Sequence, residues 1–285
     1  LNNLYDNGII REDRDTYKRL SVMLNADYKI KPWLKVGTTA NYANYTSKAI
    51  SDGSGGTSYV SMIATVMTLA PYIADTYPAD ALPTQMQAQI ANGFTLLQNA
   101  NGDYYSCLGT MEQVHPMVAI RMNDKKNTGN SLMGTLYANF TPIKDLVFTT
   151  RLGYRIATDN TYTHNNLYYG SASASNKDRN GVTRTSLSTT YYQWENFVNY
   201  NTTLLDTHNI SAMLGMSYSQ SDQIYVSAGV DKIAKDNLLY ADVDWPAGDA
   251  VKSTGGHNYI YRKLSYFGRC LLYTSDAADD GESVD

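Results

Sequence analysis

Hydrophobic and polar residues alternate strictly along several stretches of the chain. Across residues 17–30 apolar side chains recur at every second position, with polar side chains between them. A period of two residues is that of an extended strand whose faces meet different surroundings. Lys31 and Pro32 interrupt the pattern, which resumes across residues 33–42. The two stretches therefore predict a tight hairpin.

The same two-stretch unit returns twice along the chain. Residues 132–140 and 146–156 alternate on either side of a short polar break, and so do residues 192–204 and 210–218. A seventh stretch begins near Tyr259. These repeats predict about seven antiparallel strands and no helical domain.

Strand length and connection length both favour a membrane wall. Each stretch covers about ten to fourteen residues, which exceeds the usual globular strand and matches a tilted bilayer crossing. Three connections are short, whereas residues 47–129, 159–189 and 219–258 form long connections rich in Gly, Asn, Asp and Ser. Outer-membrane barrels combine short periplasmic turns with long outer loops.

The polar faces of the stretches carry charged residues, including Arg19, Asp27, Arg151 and Glu195. Such a face suits the wide, wet interior of a large barrel rather than the side-chain-filled interior of a small one. Strands can span lipid only in a closed sheet, and about seven strands cannot close around a wide lumen. We therefore expect a partial transmembrane antiparallel β-barrel, with more chain elsewhere.

Tyrosine is unusually common, with 25 Tyr against 5 Phe and 3 Trp. Rings with an apolar body and a polar tip concentrate where a barrel crosses the membrane interface. We predict a membrane girdle formed by Tyr28, Trp33, Tyr42, Tyr154, Trp194, Tyr200 and Tyr218.

Composition excludes several other classes. A net charge of −4 and a pI near 5.5 do not provide the basic face that nucleic-acid binding requires, so we expect no nucleic-acid partner. Cys107 and Cys270 are too few for a disulfide framework, and we interpret them as unpaired thiols. The most apolar window, residues 60–74, is interrupted by polar residues and Pro71, so no helical span is predicted.

No motif supports catalysis, a cofactor or a metal. The histidines at 115, 164, 208 and 257 lack a second ligand at suitable spacing, and Asp242 with Asp244 lacks a third calcium ligand. Asp206 and His208 resemble half of a triad, but Ser211 lies on a rigid strand facing the lumen. The glycines at 53, 55 and 56 are not followed by a Gly-Lys-Ser/Thr motif. We predict that the chain is not an enzyme and holds no cofactor.

Aromatic residues in the long connections are the candidate contacts for a substrate or a capping partner. Flat rings can stack on sugars or pack against a partner protein, although loops packing against themselves is the alternative. These candidates are Tyr104, Tyr105, Tyr168, Tyr169 and Trp245.

Several segments together resemble the SusC/RagA family of TonB-linked outer-membrane proteins, over most of residues 17–269. The resemblance rests on hairpin segments whose order and spacing match the family. They are Tyr17-Lys18-Arg19-Leu20-Ser21, Asn25-Ala26-Asp27-Tyr28, Trp33-Leu34-Lys35-Val36-Gly37, the strand through Asn130, Gly134, Tyr137 and Phe140, Leu152-Gly153-Tyr154, His208-Asn209-Ile210, Gly215 and Ser265-Tyr266-Phe267-Gly268-Arg269.

The resemblance implies a barrel of about twenty-two strands around an internal plug, in the cell outer membrane. It also implies a SusD-like surface lipoprotein as partner, energy from the TonB complex, and import of oligosaccharides or peptides. On this basis residues 1–269 are a barrel fragment of a TonB-dependent transporter without its plug. Residues 270–285 depart from the pattern and are interpreted as a non-native or disordered tail.

A soluble architecture is the alternative. In a secreted β-sandwich or adhesin, the apolar faces would pack sheet against sheet and the loops would bind a surface partner. The length of the strands and the asymmetry of the connections count against it. The two alternatives differ in what covers the apolar faces.

Overall fold

The computed structural model describes residues 1–8, 14–48, 66–67, 69–108, 114–204, 208–235 and 241–274. Twelve strands lie within these residues, and eight of them form one antiparallel sheet in the order β1-β2-β3-β6-β7-β10-β11-β12. The strands are β1 Asn2–Asp6, β2 Thr16–Lys31, β3 Leu34–Lys48, β4 Thr76–Tyr77, β5 Tyr104–Tyr105, β6 Asn123–Ile143, β7 Leu146–Asn165, β8 Tyr168–Tyr169, β9 Ser175–Asn176, β10 Val182–Leu204, β11 His208–Val230 and β12 Lys252–Thr274.

The large sheet is open, with β1 and β12 as its two edges among the described residues. Each long strand pairs with its neighbours along the chain, so the sheet is an up-and-down meander without crossovers. The prediction of an all-β, partly built antiparallel wall is confirmed. The sheet contains eight strands and not about seven. The additional strand is the short β1, which was not predicted and which pairs with the first half of β2.

Turn chemistry sets the register at one end of the sheet. Lys31 pairs with Leu34 and Ile143 pairs with Leu146, so two-residue turns join β2 to β3 and β6 to β7. In the second turn Asp145 has a φ of 68°, a left-handed conformation that Asp tolerates better than most residues. Each ladder shifts its register once, immediately before its turn. Such bulges increase the local twist of a strand.

The strands extend farther from these turns than the sequence predicted. Strands β6, β7, β10, β11 and β12 contain 20 to 23 residues, so the long connections are residues 49–122, 166–181 and 231–251. The predicted bounds of 47–129, 159–189 and 219–258 are therefore wrong. Beyond the apolar segments both faces of each strand carry polar residues, so hydrophobic alternation ends while backbone pairing continues.

Strand β12 also continues beyond the predicted end of the barrel segment. Leu272 pairs with Ile210 and the ladder reaches Thr274, five residues into the segment interpreted as a tail. The side chain alternation of β11 continues across this pairing, which explains why the strand does not stop at Arg269. Residues 275–285 lie outside the described residues, and so do Asp206 and the glycines at 53, 55 and 56.

The long connections build their own small structures. Connection 49–122 contains a short 3-10 helix at Ala79–Ala81, helix α1 at Thr84–Ala91, helix α2 at Pro116–Ala119 and the β4–β5 pair. Connection 166–181 contains the β8–β9 pair. The most buried side chains of the described residues, including Met86, Val114 and Val118, lie in or beside these connections. The buried core therefore sits at the end of the wall and not within it.

Candidate functional site: the two faces of the wall and its outer connections

One face of the sheet collects the apolar side chains of all its long strands. From β2 to β12, apart from the pairs beside the two-residue turns, the register places even-numbered residues opposite even-numbered residues, so Tyr42 faces Leu132 and Leu132 faces Ile156. We call the apolar part of this face the apolar belt. Its exposed members include Leu20, Val22, Leu24, Tyr28, Tyr42, Leu132, Leu136, Phe140, Phe148, Leu152, Ile156, Trp194, Tyr200, Leu214, Leu264, Tyr266 and Leu272.

The belt crosses the strands obliquely. On β3 it extends from Leu34 to Tyr42, and following the register across four strand pairs from Tyr42 leads to Asp222 on β11. On β11 the unbroken apolar run of the belt begins at Ile210 and ends at Tyr218, where Gln220 and Asp222 separate it from the exposed Ile224 and Val226. Both limits of this run have therefore moved by four residues toward the short turns. Tyr42, Leu132 and Ile156 lie level, so the whole shift falls between β7 and β11. Averaged over the four strand pairs it is one residue per strand, which at about 3.3 Å rise and about 4.8 Å strand spacing corresponds to a tilt of about 35°. That tilt is the one that closed membrane barrels adopt.

The predicted girdle residues share this face. Six of the seven are even-numbered strand residues, and Trp33 lies in the β2–β3 turn with its ring edge-on to Phe140 at 5.4 Å. Tyr42 and Tyr218 mark the far limit of the belt on their strands, whereas Tyr28 and Tyr200 lie toward the short turns. Tyr28 is 69% exposed, so its ring does not pack into protein. Their role at a membrane interface stays a prediction.

The opposite face carries hydrogen-bonded charged groups, and we call it the polar face. Lys35 Nζ donates to Asp27 Oδ2 at 3.0 Å, and the Tyr137 hydroxyl donates to the same carboxylate. Arg151 Nε donates to Glu195 Oε2 at 2.7 Å. Of these residues, Tyr137, Arg151 and Glu195 line an open cavity of about 1010 Å³. The polar face is therefore a curved surface with paired charges.

Glycines on the sheet lie directly opposite aromatic residues. Gly37 pairs with Tyr137, Gly129 with Tyr45, and Gly215 with Phe267. In each pair the ring covers the glycine so closely that a Cβ there would lie within 2.6 Å of a ring carbon. A ring over a glycine replaces packing that the glycine cannot provide. These pairs could not be predicted, because the amino-acid sequence alone does not reveal the register of the strands.

A packed cluster joins connections 49–122 and 166–181. Tyr105, Val114, Val118 and Ala174 form its buried centre, and Tyr168 packs against it. His115 Nδ1 accepts a hydrogen bond from Met117 N at 3.1 Å, which caps helix α2. The ring therefore carries its proton on Nε2, which donates to Asp75 Oδ1 at 2.6 Å.

Buried and half-buried polar groups fix the base of this cluster. Asp124 accepts from Arg14 Nη1 at 2.6 Å and from Asn166 Nδ2 at 2.9 Å, and His164 Nδ1 lies 3.7 Å away. Burial raises the pKa of the Asp124 carboxyl, but the neighbouring His164 ring, the hydrogen bond from Asn166 and the charge of Arg14 outweigh it and lower the pKa to about 2. Asp124 is therefore a strongly acidic, structural carboxylate.

Connection 231–251 folds against the far end of the apolar-belt face. Val182, Val230, Ile233 and Ala241 form a second buried cluster. The Tyr162 hydroxyl donates to the Ala241 carbonyl at 2.9 Å. Arg184 forms a two-pronged contact with Asp242 through Nε at 2.8 Å and Nη2 at 2.7 Å. The hydrogen bond from Arg184 is the main cause of the lowered pKa of Asp242.

The predicted contact aromatics divide between buried and accessible positions. Tyr105 is only 7% exposed and stacks on His115 with 5.2 Å between ring centroids, so it supports the loop cluster instead of presenting a ring to solvent. Tyr169 lies 4.9 Å from the Phe94 ring and Tyr168 packs on the cluster. Trp245 is 48% exposed. Tyr104 and Tyr169 are half-buried, and contact by any of these residues stays a prediction.

The described residues contain no group of three or more His, Cys, Asp or Glu side chains arranged for a metal. Asp242 is engaged by Arg184, so it does not combine with Asp244 as a calcium site. Ser211 Oγ donates to Asn201 Oδ1 at 2.7 Å. Cys107 and Cys270 form no disulfide, and burial raises the pKa of the Cys107 thiol to about 11. In the part of the chain that the structure describes, no helix has the length and apolarity to span a membrane.

No model of a protein family matches the sequence, and no curated protein matches it. Solved structures do match. The structure of the RagAB peptide transporter superposes with a TM-score of 0.64 at 18% identity, covering 91% of this chain and 26% of that one. The RagAB peptide importer matches in its 'open-open' state with a TM-score of 0.62 at 18% identity, and in its 'closed-closed' state with 0.59 at 17%.

Each importer match also covers 91% of this chain and 26% of the matched one. The chain therefore spans about a quarter of the length of the solved chains it matches. At this level of identity the likeness concerns the fold. The chain has the fold of about one quarter of a chain from the RagAB peptide transporter, which is the SusC/RagA-like architecture that the hairpin segments predicted.

Proposed function

We propose that this chain is part of the wall of an outer-membrane TonB-dependent importer. The observation that carries the proposal is the oblique apolar belt, whose limits shift by four residues over four strand pairs of an open, two-faced sheet. The belt would face lipid, and the polar face with Arg151, Glu195 and Asp27 would face an enclosed channel. The likeness to a peptide transporter over 91% of the chain supports the same assignment.

The proposed cargo is an oligosaccharide or a peptide, and the proposed partner is a SusD-like surface lipoprotein. The solved chains that match are named as a peptide transporter and importer, which favours peptides. Aromatic residues of the outer connections are the candidate contacts for cargo or partner, with Tyr104, Tyr169 and Trp245 the more accessible of them. Energy would come from the inner membrane through the TonB complex.

A secreted β-sandwich is not favoured by the described residues. In a sandwich a second sheet would cover the apolar face at about 10 Å separation. Here Leu214 is 72% exposed and Tyr266 is 76% exposed, and the two other sheets are two-stranded pairs in the outer connections. Lipid is the covering that such a face needs.

A matched pair of arginine substitutions tests which face meets lipid. Leu214→Arg places a charge in the middle of the belt, where it costs roughly 2–4 kcal/mol, and Met213→Arg places the same charge on the polar face one residue away. We expect outer-membrane recovery of a complete protein carrying these residues to fall for Leu214→Arg and to persist for Met213→Arg. Equal recovery of both variants, or a protein that stays in solution without detergent, would refute the membrane assignment.

Transport itself is tested by deleting the gene and measuring growth on defined nutrients. Loss of growth on peptides or on oligosaccharides, restored by the wild-type gene, is the expected result. Loss on only one of them identifies the cargo class. Unchanged uptake of both would contradict the importer assignment even if the protein lies in the membrane.

A further inference from the structure

Charge is unevenly distributed between the polar face and the rest of the chain. The whole chain has a net charge of −4. Basic residues nevertheless outnumber acidic ones at the odd-numbered strand positions from β2 to β12, apart from the positions beside the two-residue turns. The polar face is therefore a cationic surface on an acidic chain. Its basic residues are Arg19, Lys29, Lys35, Lys125, Arg151, Arg155, Lys263 and Arg269, and its acidic residues are Asp27, Asp159 and Glu195.

The carboxylates of the polar face already have partners. Two of them form the ion pairs with Lys35 and Arg151 described above. Asp159 accepts a hydrogen bond from the Tyr45 hydroxyl at 2.7 Å. Arg155 is exposed, and among the residues that the structure describes no carboxylate or other acceptor engages its guanidinium. The cationic excess of the face therefore includes an arginine that is available to an external anion.

The open cavity of about 1010 Å³ adjoins this arginine. Gly153 and Arg155 both line it, and a Cβ at Gly153 would meet only the Gln193 carbonyl at 3.9 Å. The space above the glycine is therefore open. Arg151 and Arg155 lie two residues before and after Gly153, about 7 Å away along the strand. Because Glu195 holds Arg151, the guanidinium that the cavity offers to a ligand is that of Arg155.

Two exposed methionines line the same cavity. Met23 is 64% exposed and Met133 is 44% exposed, and each lies directly opposite Asn41. Met133 also lies directly opposite Arg155. Methionine side chains are flexible and polarizable, so they adapt to apolar groups of varied shape. Asn41 Oδ1 is buried without a hydrogen-bond partner among the described residues, which leaves an acceptor for a donor such as a peptide amide.

We propose that Arg155, Gly153 and the two methionines form a cargo subsite for acidic peptides, in which the guanidinium pairs with a carboxylate and the thioethers receive apolar side chains. The inference rests on the proposed function, because it needs the polar face to line the channel. A cationic wall also raises the local concentration of anionic cargo. The methionines favour a peptide over an acidic oligosaccharide, because a sugar chain carries hydroxyl groups where a peptide carries apolar side chains.

Uptake of matched probes by cells that express the complete protein tests the subsite. The probes are a short peptide that alternates leucine with aspartate, its counterpart with asparagine, and an oligogalacturonate, each radiolabelled and supplied below saturation. We expect Arg155→Gln to lower uptake of the aspartate peptide by about tenfold and to leave uptake of the asparagine peptide unchanged. Arg155→Lys should recover part of the loss, because it restores the charge. Arg19→Gln removes the same charge from the polar face outside the cavity and should change neither uptake.

Each other outcome overturns the inference. Equal uptake of the two peptides by the wild type removes the role of the carboxylate, and an equal effect of Arg19→Gln replaces the subsite with a diffuse positive field. Arg155-dependent uptake of the oligogalacturonate in place of the aspartate peptide makes the cargo an acidic sugar. Uptake of none of the probes by the wild type contradicts the proposed function itself, so the two failures are distinguishable. Uptake is normalised to the amount of each variant in the outer membrane, so that a folding defect does not count as a loss of binding.

Discussion

Tyr154 lies directly opposite Gly134 in the β6–β7 ladder, and its hydroxyl fills the space that a side chain at Gly134 would need. A Cβ at Gly134 would lie 2.7 Å from that hydroxyl and 2.2 Å from the Thr39 carbonyl of the neighbouring strand. The close approach of β3, β6 and β7 thus depends on a missing side chain. Gly134 belongs to one of the segments on which the family resemblance rests. Its physical role is to leave room for the Tyr154 hydroxyl and the Thr39 carbonyl.

Gly134→Ala should therefore weaken the wall, because the new methyl group must displace a backbone carbonyl. We expect a loss of about 1–3 kcal/mol in the free energy of unfolding. The matched control is Gly153→Ala, where a Cβ would meet only the Gln193 carbonyl at 3.9 Å. Urea unfolding in detergent micelles, followed by tryptophan fluorescence, measures both. Equal stability of the two variants would contradict the close packing.

Acid should destabilise the outer cluster through Asp124. Its pKa is lowered in the folded chain to about 2 from 3.8, so the stability it contributes is present above pH 3.8 and is lost as pH falls through about 2. Asp124→Asn should remove that part of the pH dependence and lower stability near neutral pH. Hydrogen exchange of the outer connections over this pH range is the measurement.

The control for this prediction is Asp80→Asn, which changes an exposed carboxylate in the 3-10 helix. It should leave the acid dependence of exchange as in the wild type. If Asp124→Asn behaves like Asp80→Asn, the contacts from Arg14 and Asn166 do not stabilise the cluster.

His115 should hold helix α2 by accepting the Met117 amide hydrogen bond. His115→Ala loses this cap and the contact with Asp75, and we expect a loss of about 0.5–2 kcal/mol in local stability. His115→Asn retains a capping oxygen and should recover part of that stability. Faster proteolysis in residues 104–122 for the alanine variant than for the asparagine variant is the expected observation. Identical cleavage of both would assign the effect to the Tyr105 stack instead.

The three tryptophans provide a direct measure of which surfaces meet lipid. Trp33 and Trp194 lie with the predicted girdle, and Trp194 Nε1 donates to Thr150 Oγ1 at 3.0 Å, whereas Trp245 lies in connection 231–251. In variants that keep one tryptophan each, bromine-labelled lipid should quench Trp33 and Trp194 strongly and Trp245 weakly. Quenching of Trp245 as strong as that of Trp194 would place the connection in the membrane and contradict the girdle assignment.

The sequence was sufficient to predict the wall because its two faces meet different surroundings. Leu20, Val22 and Leu24 alternate with Arg19, Ser21 and Asn25, and that period predicts both the strand and its apolar side. Where both faces of a strand carry polar residues, as at Thr185, Ser186 and Ser188, the alternation of apolar and polar residues disappears although the backbone ladder continues. The predicted strands therefore correspond to the belt and not to the full sheet.

The two clusters built by the long connections could not be predicted, because their contacts join distant positions without a repeating pattern. His115 and Asp75 are 40 positions apart, and Tyr162 reaches Ala241 across 79. Tyr105 is a predicted contact residue because it lies in a long connection, yet its neighbours in the cluster bury its ring. Burial within an irregular loop depends on the path of the chain, and residue type alone does not reveal it.

The two-residue turns at Pro32-Trp33 and Lys144-Asp145 fix which residues face each other in their hairpins. The opposite connections impose no such alignment, because the paired strands on either side are already held by their neighbours. Insertions and deletions there would leave every cross-strand partner unchanged. Evolution could thus change the length and sequence of these connections while inheriting the same scaffold.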